Sequence, residues 1–133
     1  IVTTPQDIAL SDVRKGADMF KKVNTPVLGV IENMSGLMLS GNTNNPNSKI
    51  QVDNQELEID ANGNFNINID IFKKNGGQKE SERLGVPLLG KIPLSKEIMN
   101  ATDSGIPIVV SDSNLKTSKV YLSLADKVSK ISK

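Results

Sequence analysis

Asn33 is the residue whose side chain and position most favour ligand binding in this sequence. It follows an apolar run from Pro26 to Ile31 that ends at Glu32. The carboxyl end of a buried strand is where open α/β sheets hold ligands. An amide places one hydrogen-bond donor beside one acceptor, which matches the edge of an adenine base. The pattern therefore predicts that Asn33 binds a base, and the alternative is that it only ends the strand and begins a turn.

The strand before Asn33 belongs to a pattern that occurs three times. A helix-like stretch ends at Asn or Gly, one residue and a Pro follow, and an apolar run comes next. Asn or Gly supplies the left-handed residue that ends a helix, and Pro favours an extended backbone after it. The sites are Asn24-Thr25-Pro26, Gly85-Val86-Pro87 and Gly105-Ile106-Pro107, before predicted strands at 27–31, 88–92 and 108–110. Repeated helix-to-strand crossovers predict an α/β fold with a parallel sheet and flanking helices.

The first helix of that fold is predicted to begin near Thr4. Thr4 suits the N-cap, Pro5 suits the first helical position, and Asp7 stands where a capping-box carboxylate would. The helix should run to about Lys22. Its predicted buried stripe, at spacings of four, four and three residues, is Ala9, Val13, Ala17 and Phe20.

Three further helices are predicted in the second half of the chain. Short helices are expected at 78–84, after a flexible Gly76-Gly77 pair, and at 95–103, and a last one from Leu115. The last helix places Val120, Leu124, Val128 and Ile131 on one face. Its lysines, at positions 119, 127, 130 and 133, indicate a solvated face, with a polyanion site as the weaker alternative.

Composition limits the classes of partner. The 133 residues suit one domain, and 37% hydrophobic content is enough for a modest core. A net charge of +1 gives no field that would attract nucleic acid or a membrane surface. No apolar run is long enough to span a bilayer, and no signal peptide opens the chain. These features predict a soluble, cytoplasmic protein without a nucleic-acid or membrane partner.

The sequence contains neither Cys nor His. Their absence excludes thiolate and imidazole nucleophiles, disulfides, ordinary zinc sites and Cys-ligated iron-sulfur clusters within this chain. The phosphate-binding pattern G-x-x-x-x-G-K-[ST] is also absent. We therefore predict no catalytic residue in this chain.

The stretch from about residue 37 to 75 differs from the rest of the chain. Residues 41–47 are Asn-rich and contain Pro46, which indicates an exposed loop. Apolar and polar residues then alternate, with turns expected at Asp53-Asn54-Gln55 and a tight hairpin at Asn62-Gly63. This pattern predicts a small antiparallel β meander inserted into the α/β domain. Ile1 to Thr4 resemble the tail of a buried strand, so residues 1–133 are interpreted as a fragment of a single α/β domain.

A metal site in this stretch is not predicted. Asp60, Asn62 and Asn64 alternate as at the start of a calcium loop. The EF-hand loop needs Gly at its sixth position and Glu at its twelfth, where this chain has Phe65 and Ile71.

Four blocks of the sequence resemble the carboxyl-terminal half of Mrp/ApbC proteins. The blocks are residues 1–10, 26–35, 84–94 and 105–110, and the resemblance covers nearly everything except 36–74. These proteins belong to the MinD/ParA branch of P-loop ATPases and act as iron-sulfur cluster carriers. The resemblance implies an intact parent protein with an upstream half that holds the phosphate loop and the magnesium-binding carboxylates, and it implies a homodimer.

The resemblance also implies roles for particular residues. In the family, the Asn that matches Asn33 reads the adenine of ATP, and the segment that matches Ile92-Pro93-Leu94 lies against the base. Asp12 matches a position that faces the phosphate loop in MinD-like relatives. On this basis the chain is the base-binding side of a site for ATP and magnesium.

The chain departs from the family after the Glu-Asn-Met-Ser block. Family members usually place a Cys-x-x-Cys pair there, through which two protomers share one cluster, whereas this chain has Gly36-Leu37-Met38-Leu39-Ser40. The parent is therefore either a divergent carrier with other ligands or a relative that kept ATP-dependent dimerisation and changed its cargo.

Two other classes of function remain open. A MinD/ParA-like positioning ATPase should end in a membrane-targeting amphipathic helix, but the last helix offers no large aromatic anchor besides Tyr121. A non-catalytic interaction module would instead bind a protein partner through the 37–75 insertion.

Overall fold

The fold is built around one long strand. The computed structural model describes residues 1–52 and 54–131. In chain order its elements are β1 (Val2–Thr3), α1 (Asp7–Lys22), β2 (Val30–Asn42), β3 (Lys49–Val52), β4 (Gln55–Glu58), β5 (Asn64–Ile69), α2 (Gly76–Leu84), β6 (Leu88–Leu94), α3 (Lys96–Asp103), α4 (Ile108–Ser111) and α5 (Lys116–Ile131). The central strand is β2, which contacts both β6 and β5 extensively.

The two halves of β2 have different partners. Its first half lies between β1 and β6 and is parallel to both, with Ile31 beside Val2 and Asn33 beside Ile92. Its second half pairs antiparallel with β5, with Leu39 beside Ile67. The predicted α/β fold with a parallel sheet and flanking helices is confirmed, and the sheet gains an antiparallel extension.

The prediction that this strand stops before Glu32 was wrong. Between Asn33 and Leu37 the register with β6 shifts, because Met34 and Gly36 adopt positive φ values of 55° and 85°. Such an irregularity bends a strand without ending it. The backbone beyond the bend finds new hydrogen-bond partners on β5, so the strand continues to Asn42.

The insertion contains the predicted antiparallel strands, with one difference in pairing. The strands β3 and β4 form a separate two-stranded sheet in which Ile50 lies beside Leu57. Asp53, in the turn predicted between them, lies outside the described residues. The strand β5 does not pair with β4 through a tight hairpin at Asn62-Gly63; it pairs with β2, and the Gly63 carbonyl accepts a hydrogen bond from the Thr43 N–H at 2.9 Å.

All three predicted left-handed residues are confirmed. Asn24, Gly85 and Gly105 have φ values of 55°, 66° and 69°. The first two lead into β2 and β6, but the third leads into α4, so the strand predicted at 108–110 was wrong. The Pro107 carbonyl accepts hydrogen bonds from Val110 and Ser111, which closes a short helical turn instead.

The first helix has the predicted length but a different cap. Its N-cap is Gln6, with no side-chain cap, and not Thr4. Pro5 therefore precedes the helix. Ala17 is buried as predicted, the second fully buried residue is Leu10, and Phe20 is exposed.

The later helices pack largely as predicted. Gly76 and Gly77 are buried and form the first residues of α2, so they are not a flexible segment before it. The core beneath α5 contains Leu124, Leu89 and Ile92. Ile131 is exposed, and the Nζ of Lys127 donates to the carbonyl of Leu89 at 2.6 Å, so Lys127 is tied to the sheet. Lys133 lies outside the described residues.

Among the residues that the structure describes, neither a membrane-spanning helix nor a metal cluster is found. None of the described helices is both long enough and apolar enough to cross a bilayer. Within the described ranges, no three Asp, Glu, Cys or His side chains are placed to hold a metal ion.

The loop before β5 should be sensitive to acid. The Oδ1 atom of Asp60 accepts hydrogen bonds from the backbone N–H groups of Asn64 at 2.8 Å and Asn62 at 2.9 Å. These bonds, led by that of Asn64, lower the pKa of Asp60 below its ordinary value. The stabilisation is therefore fully present above the pKa of an unfolded Asp, about 3.9, and is lost as the pH falls through the lower folded value.

We expect the amide resonances of Asn62 and Asn64 to shift together with a midpoint below the ordinary Asp range in an NMR titration. The D60N variant should abolish this titration because its side chain carries no ionisable group. A midpoint at or above the ordinary Asp value in the wild-type chain would contradict the assignment.

Candidate functional site

Asn33 and Ile92 lie side by side near the carboxyl end of the parallel part of β2, just before the bend in that strand. Asn33 is half-buried, and its Oδ1 accepts a hydrogen bond from the Met34 N–H at 2.9 Å. That bond holds the amide plane close to the bend in β2. The carbonyl oxygen keeps a second lone pair, and its amide nitrogen carries two further donors, so the side chain retains both functions needed to bind a base edge.

The segment Ile92-Pro93-Leu94 divides between core and cleft. Ile92 is buried in the core against Leu89 and Leu124. Pro93 is half-buried and lines a cleft, and Leu94 is half-buried beside Leu37. The structure therefore brings this segment together with Asn33 at one end of the sheet.

Asp12 is not part of this arrangement. It lies on the exposed side of α1, where its carboxylate pairs with the Lys15 ammonium at 3.3 Å, and it does not line the cleft. Its proposed orientation toward a phosphate loop stays a prediction.

A cleft of about 410 Å³ opens beside these strands, and its lining includes Pro93 but neither Asn33 nor Ile92. Its walls come from the end of β6, the bend of β2, the start of α2 and the first turn of α5. Four lysines and two carboxylates lie among its lining residues: Lys73, Lys74, Lys91, Lys116, Glu32 and Asp70. The side chains of Met38 and Asn68 also line it, so the insertion borders the site.

Glu32 forms the buried wall of the cleft and was not predicted as a site residue. Its side chain is 1% exposed. One oxygen accepts a hydrogen bond from the Gly77 N–H at 2.6 Å, and the other accepts one from the Ser35 hydroxyl at 2.6 Å. The Lys91 ammonium lies 3.6 Å away. A carboxylate at the amino end of a helix satisfies an otherwise unpaired N–H and is favoured by the helix dipole, so Glu32 fixes α2 against β2.

Three of the four lysines around the cleft are held by neighbouring polar groups. Lys73 pairs with Asp7, and that hydrogen bond lowers the pKa of the carboxyl below its ordinary value. Lys74 pairs with Asp70 at 2.6 Å, and Lys91 donates to the Asn75 side chain at 2.8 Å. The cleft thus carries ordered charges of both signs.

The sequence signal that would have identified Glu32 is modest. Glu32 is the one carboxylate directly after the apolar run, and it precedes Asn33 by one position. Its burial depends on the distant Gly77, since a side chain at position 77 would collide with it.

Comparisons with known proteins show the family to which the chain belongs. The family profile described as "ParA: NUBPL iron-transfer P-loop NTPase" matches residues 1–65 and 52–129. The chain is 37% identical to an iron-sulfur cluster carrier protein of Pseudomonas fragi over 94% of its own length and 36% of that protein. It is 38% identical to the iron-sulfur cluster transfer protein NUBPL of Mus musculus over 96% of its length and 33% of that protein.

A solved structure shows the same fold. The cell-division ATPase MinD of Pyrococcus furiosus superposes with a TM-score of 0.62 at 23% identity, over 97% of this chain and 40% of that one. The chain spans about a third of the length of the curated relatives it matches. With a family profile that extends over most of its residues, the chain belongs to the ParA family of NUBPL iron-transfer P-loop NTPases.

Proposed function

We propose that this chain is the base-binding part of an ATP-binding protein that acts in iron-sulfur cluster assembly or transfer. The observation that carries the proposal is the pairing of Asn33 with Ile92 near the carboxyl end of the parallel part of β2, just before the bend at which its register with β6 shifts. A lone amide beside an apolar segment at this end of an α/β sheet suits a purine base. The relatives from Pseudomonas fragi and Mus musculus are an iron-sulfur cluster carrier and an iron-sulfur cluster transfer protein, which supports this cargo.

The phosphates and magnesium of ATP require residues that this chain does not supply. It has no G-x-x-x-x-G-K-[ST] pattern, and such loops hold the phosphates and the metal in P-loop enzymes. In the proposed intact protein, Asn33 and the segment from Ile92 to Leu94 would orient the base, while phosphate contacts come from the other part of the domain.

The residues present do not fit an iron-sulfur cluster. The chain contains no Cys and no His, and within the described residues no group of three acidic side chains is placed to replace them. A cluster handled by the protein would therefore be held by ligands outside this chain.

We propose that the intact protein is a cytoplasmic homodimer and that the insertion over 37–75, which borders the cleft, is a surface for a protein partner.

Adenine recognition can be tested in a chimera in which this chain replaces the matching third of the Pseudomonas fragi carrier. The chain alone should give no micromolar isotherm with ATP and magnesium, because phosphate and metal contacts supply most of the affinity. In the chimera we expect N33A to reduce the preference for ATP over GTP by about 1–3 kcal/mol, the value of a paired amide contact. Calorimetric titration with both nucleotides measures this preference.

The matched control for N33A is N44A. Asn44 is exposed in the insertion and lies outside the paired strands β2 and β6. N44A should leave both affinities unchanged. An ATP-to-GTP ratio that is equal in the parent chimera and N33A would exclude Asn33 as the base-reading residue.

A further inference from the structure

An open groove of about 330 Å³ lies between the strand β6 and the helix α5. Its lining includes four lysines: Lys91, Lys116, Lys119 and Lys127. No Asp or Glu of the described residues lines it. Leu89, Val120 and Leu124 supply its apolar lining. The groove therefore combines positive charge with an apolar surface.

Two of the four lysines are held within the chain, and two are not. Lys91 donates to the Asn75 side chain at 2.8 Å, and Lys127 donates to a backbone carbonyl of β6 at 2.6 Å. Lys116 and Lys119 are exposed, and their ammonium groups form neither an ion pair nor a hydrogen bond with any residue that the structure describes. These two ammonium groups are therefore available to an anion.

The positions of Lys116 and Lys119 oppose the stability of their helix. Lys116 is the first residue of α5, and the first turn of this helix contains no acidic residue. The partial positive charge at the amino end of a helix disfavours cations there, and like charges three residues apart repel each other. Proteins break such local rules mainly at functional sites. The two lysines therefore indicate that an anion from outside the chain binds here.

We propose that this groove binds an acidic, partly apolar segment of a partner protein. Carboxylates of the segment pair with Lys116 and Lys119, and its apolar side chains pack against the half-buried Val120. None of the residues that line the groove belongs to the insertion over 37–75, so this surface is separate from the one proposed there. It adjoins the cleft, whose lining also includes Lys91, Lys116 and Val120.

The chemistry of the groove favours a protein segment over a nucleic acid. Arg binds phosphates with a planar fork of donors, and single-stranded bases stack on aromatic side chains. Among the described residues, neither an Arg nor an aromatic residue lines the groove. The net charge of +1 also gives no extended field for a polyanion. Lysines beside an apolar surface instead complement a segment that contains both carboxylates and apolar side chains.

Fluorescence anisotropy of the full chain with two labelled probe peptides tests the proposal. The acidic probe repeats Leu-Glu-Glu, and the neutral probe repeats Leu-Gln-Gln. We expect saturable binding of the acidic probe alone, with an affinity that falls as salt is added. The variant K116E/K119E should raise the dissociation constant of the acidic probe about tenfold or more, because two attractive contacts become repulsive.

The matched control is K22E/K79E. It changes the net charge by the same amount at two exposed lysines of α1 and α2 that do not line the groove, so it should leave binding unchanged. Misfolding is excluded as the cause by a second pair of measurements. K116E/K119E should unfold at no lower urea concentration than the wild type, because acidic residues suit the first turn of a helix. A probe that repeats Leu-Lys-Lys should bind K116E/K119E more tightly than it binds the wild type.

Several results would overturn the proposal. One is the absence of saturable binding of the acidic probe to the wild-type chain, and another is equal weakening by K116E/K119E and the control. Failure of the Leu-Lys-Lys probe to prefer K116E/K119E would show that the two lysines do not contact the bound segment. Labelled single-stranded DNA that binds more tightly than the acidic probe, and that K116E/K119E releases, would assign the groove to a nucleic acid instead.

Discussion

Replacing Arg83 by Met is expected to lower the free energy of unfolding by about 2–4 kcal/mol. The reason is the carboxylate of Glu80, which is 0% exposed. One of its oxygens accepts two hydrogen bonds from Arg83, at 2.8 and 2.6 Å, and those bonds raise the pKa of the guanidinium above its ordinary value. Without Arg83 this oxygen would be left buried and unpaired. The Arg83 side chain is itself 36% exposed, so water can enter the space that it leaves and solvate Glu80. The loss of stability should therefore stay below the full cost of burying an unpaired charge.

The matched control for R83M is R14M. Arg14 contacts the other oxygen of Glu80 at 3.3 Å, and its side chain is 53% exposed. A single longer bond from a mostly solvated group should contribute about 1 kcal/mol or less. The double variant E80Q/R83M should lose less stability than R83M alone, because it removes the buried charge together with its partner. Urea unfolding monitored by circular dichroism measures all three, and equal losses in R83M and R14M would contradict the account.

The Glu80 cluster also affects the site. Arg14 belongs to α1, and Glu80 and Arg83 belong to α2, so the cluster fixes the two helices to each other. The start of α2 closes the cleft through Glu32. If α2 lost this attachment to α1, the wall of the cleft would therefore loosen, and so would the packing of the core.

Features governed by local rules could be predicted from the sequence. The left-handed conformations of Asn24, Gly85 and Gly105 follow from the chemistry of helix ends, and each occurs where expected. The length of α1 and the start of α5 follow from their apolar spacing, and the placement of Asn33 in the parallel part of β2 follows from the crossover pattern.

Features that depend on distant residues could not be predicted. Glu32 and Asn33 interrupt an apolar run, but β2 continues because β5 supplies partners 22 to 32 residues later, in pairs from Asn42 with Asn64 to Leu37 with Ile69. The run at Ile108 has strand-like composition, yet it forms a helical turn closed by the Pro107 carbonyl. Burial of Glu32 and Glu80 likewise requires partners from other elements. Periodicity alone assigns such carboxylates to the surface.

The Gly77 position gives the sharpest test of the cleft. Gly77 lies in α2, and a methyl group added there would be 2.8 Å from the Glu32 Cβ and 3.0 Å from its Oε2. Since Glu32 is buried, it cannot move aside without breaking its hydrogen bond to the Gly77 N–H. We expect G77A to lower the free energy of unfolding by about 1–3 kcal/mol, as overpacking of a well-packed site does.

A second glycine provides the opposite expectation. Gly16 lies inside α1, and a methyl group added there would meet no atom within 4 Å. G16A should raise the free energy of unfolding by about 0.5–1 kcal/mol, because Ala restricts the unfolded chain and favours the helix. Urea unfolding of both variants therefore separates helix propensity, which favours Ala at each position, from the contact with Glu32. Stabilisation by G77A as well as by G16A would show that Glu32 does not pack against the start of α2, and the buried wall assigned to the cleft would then be absent.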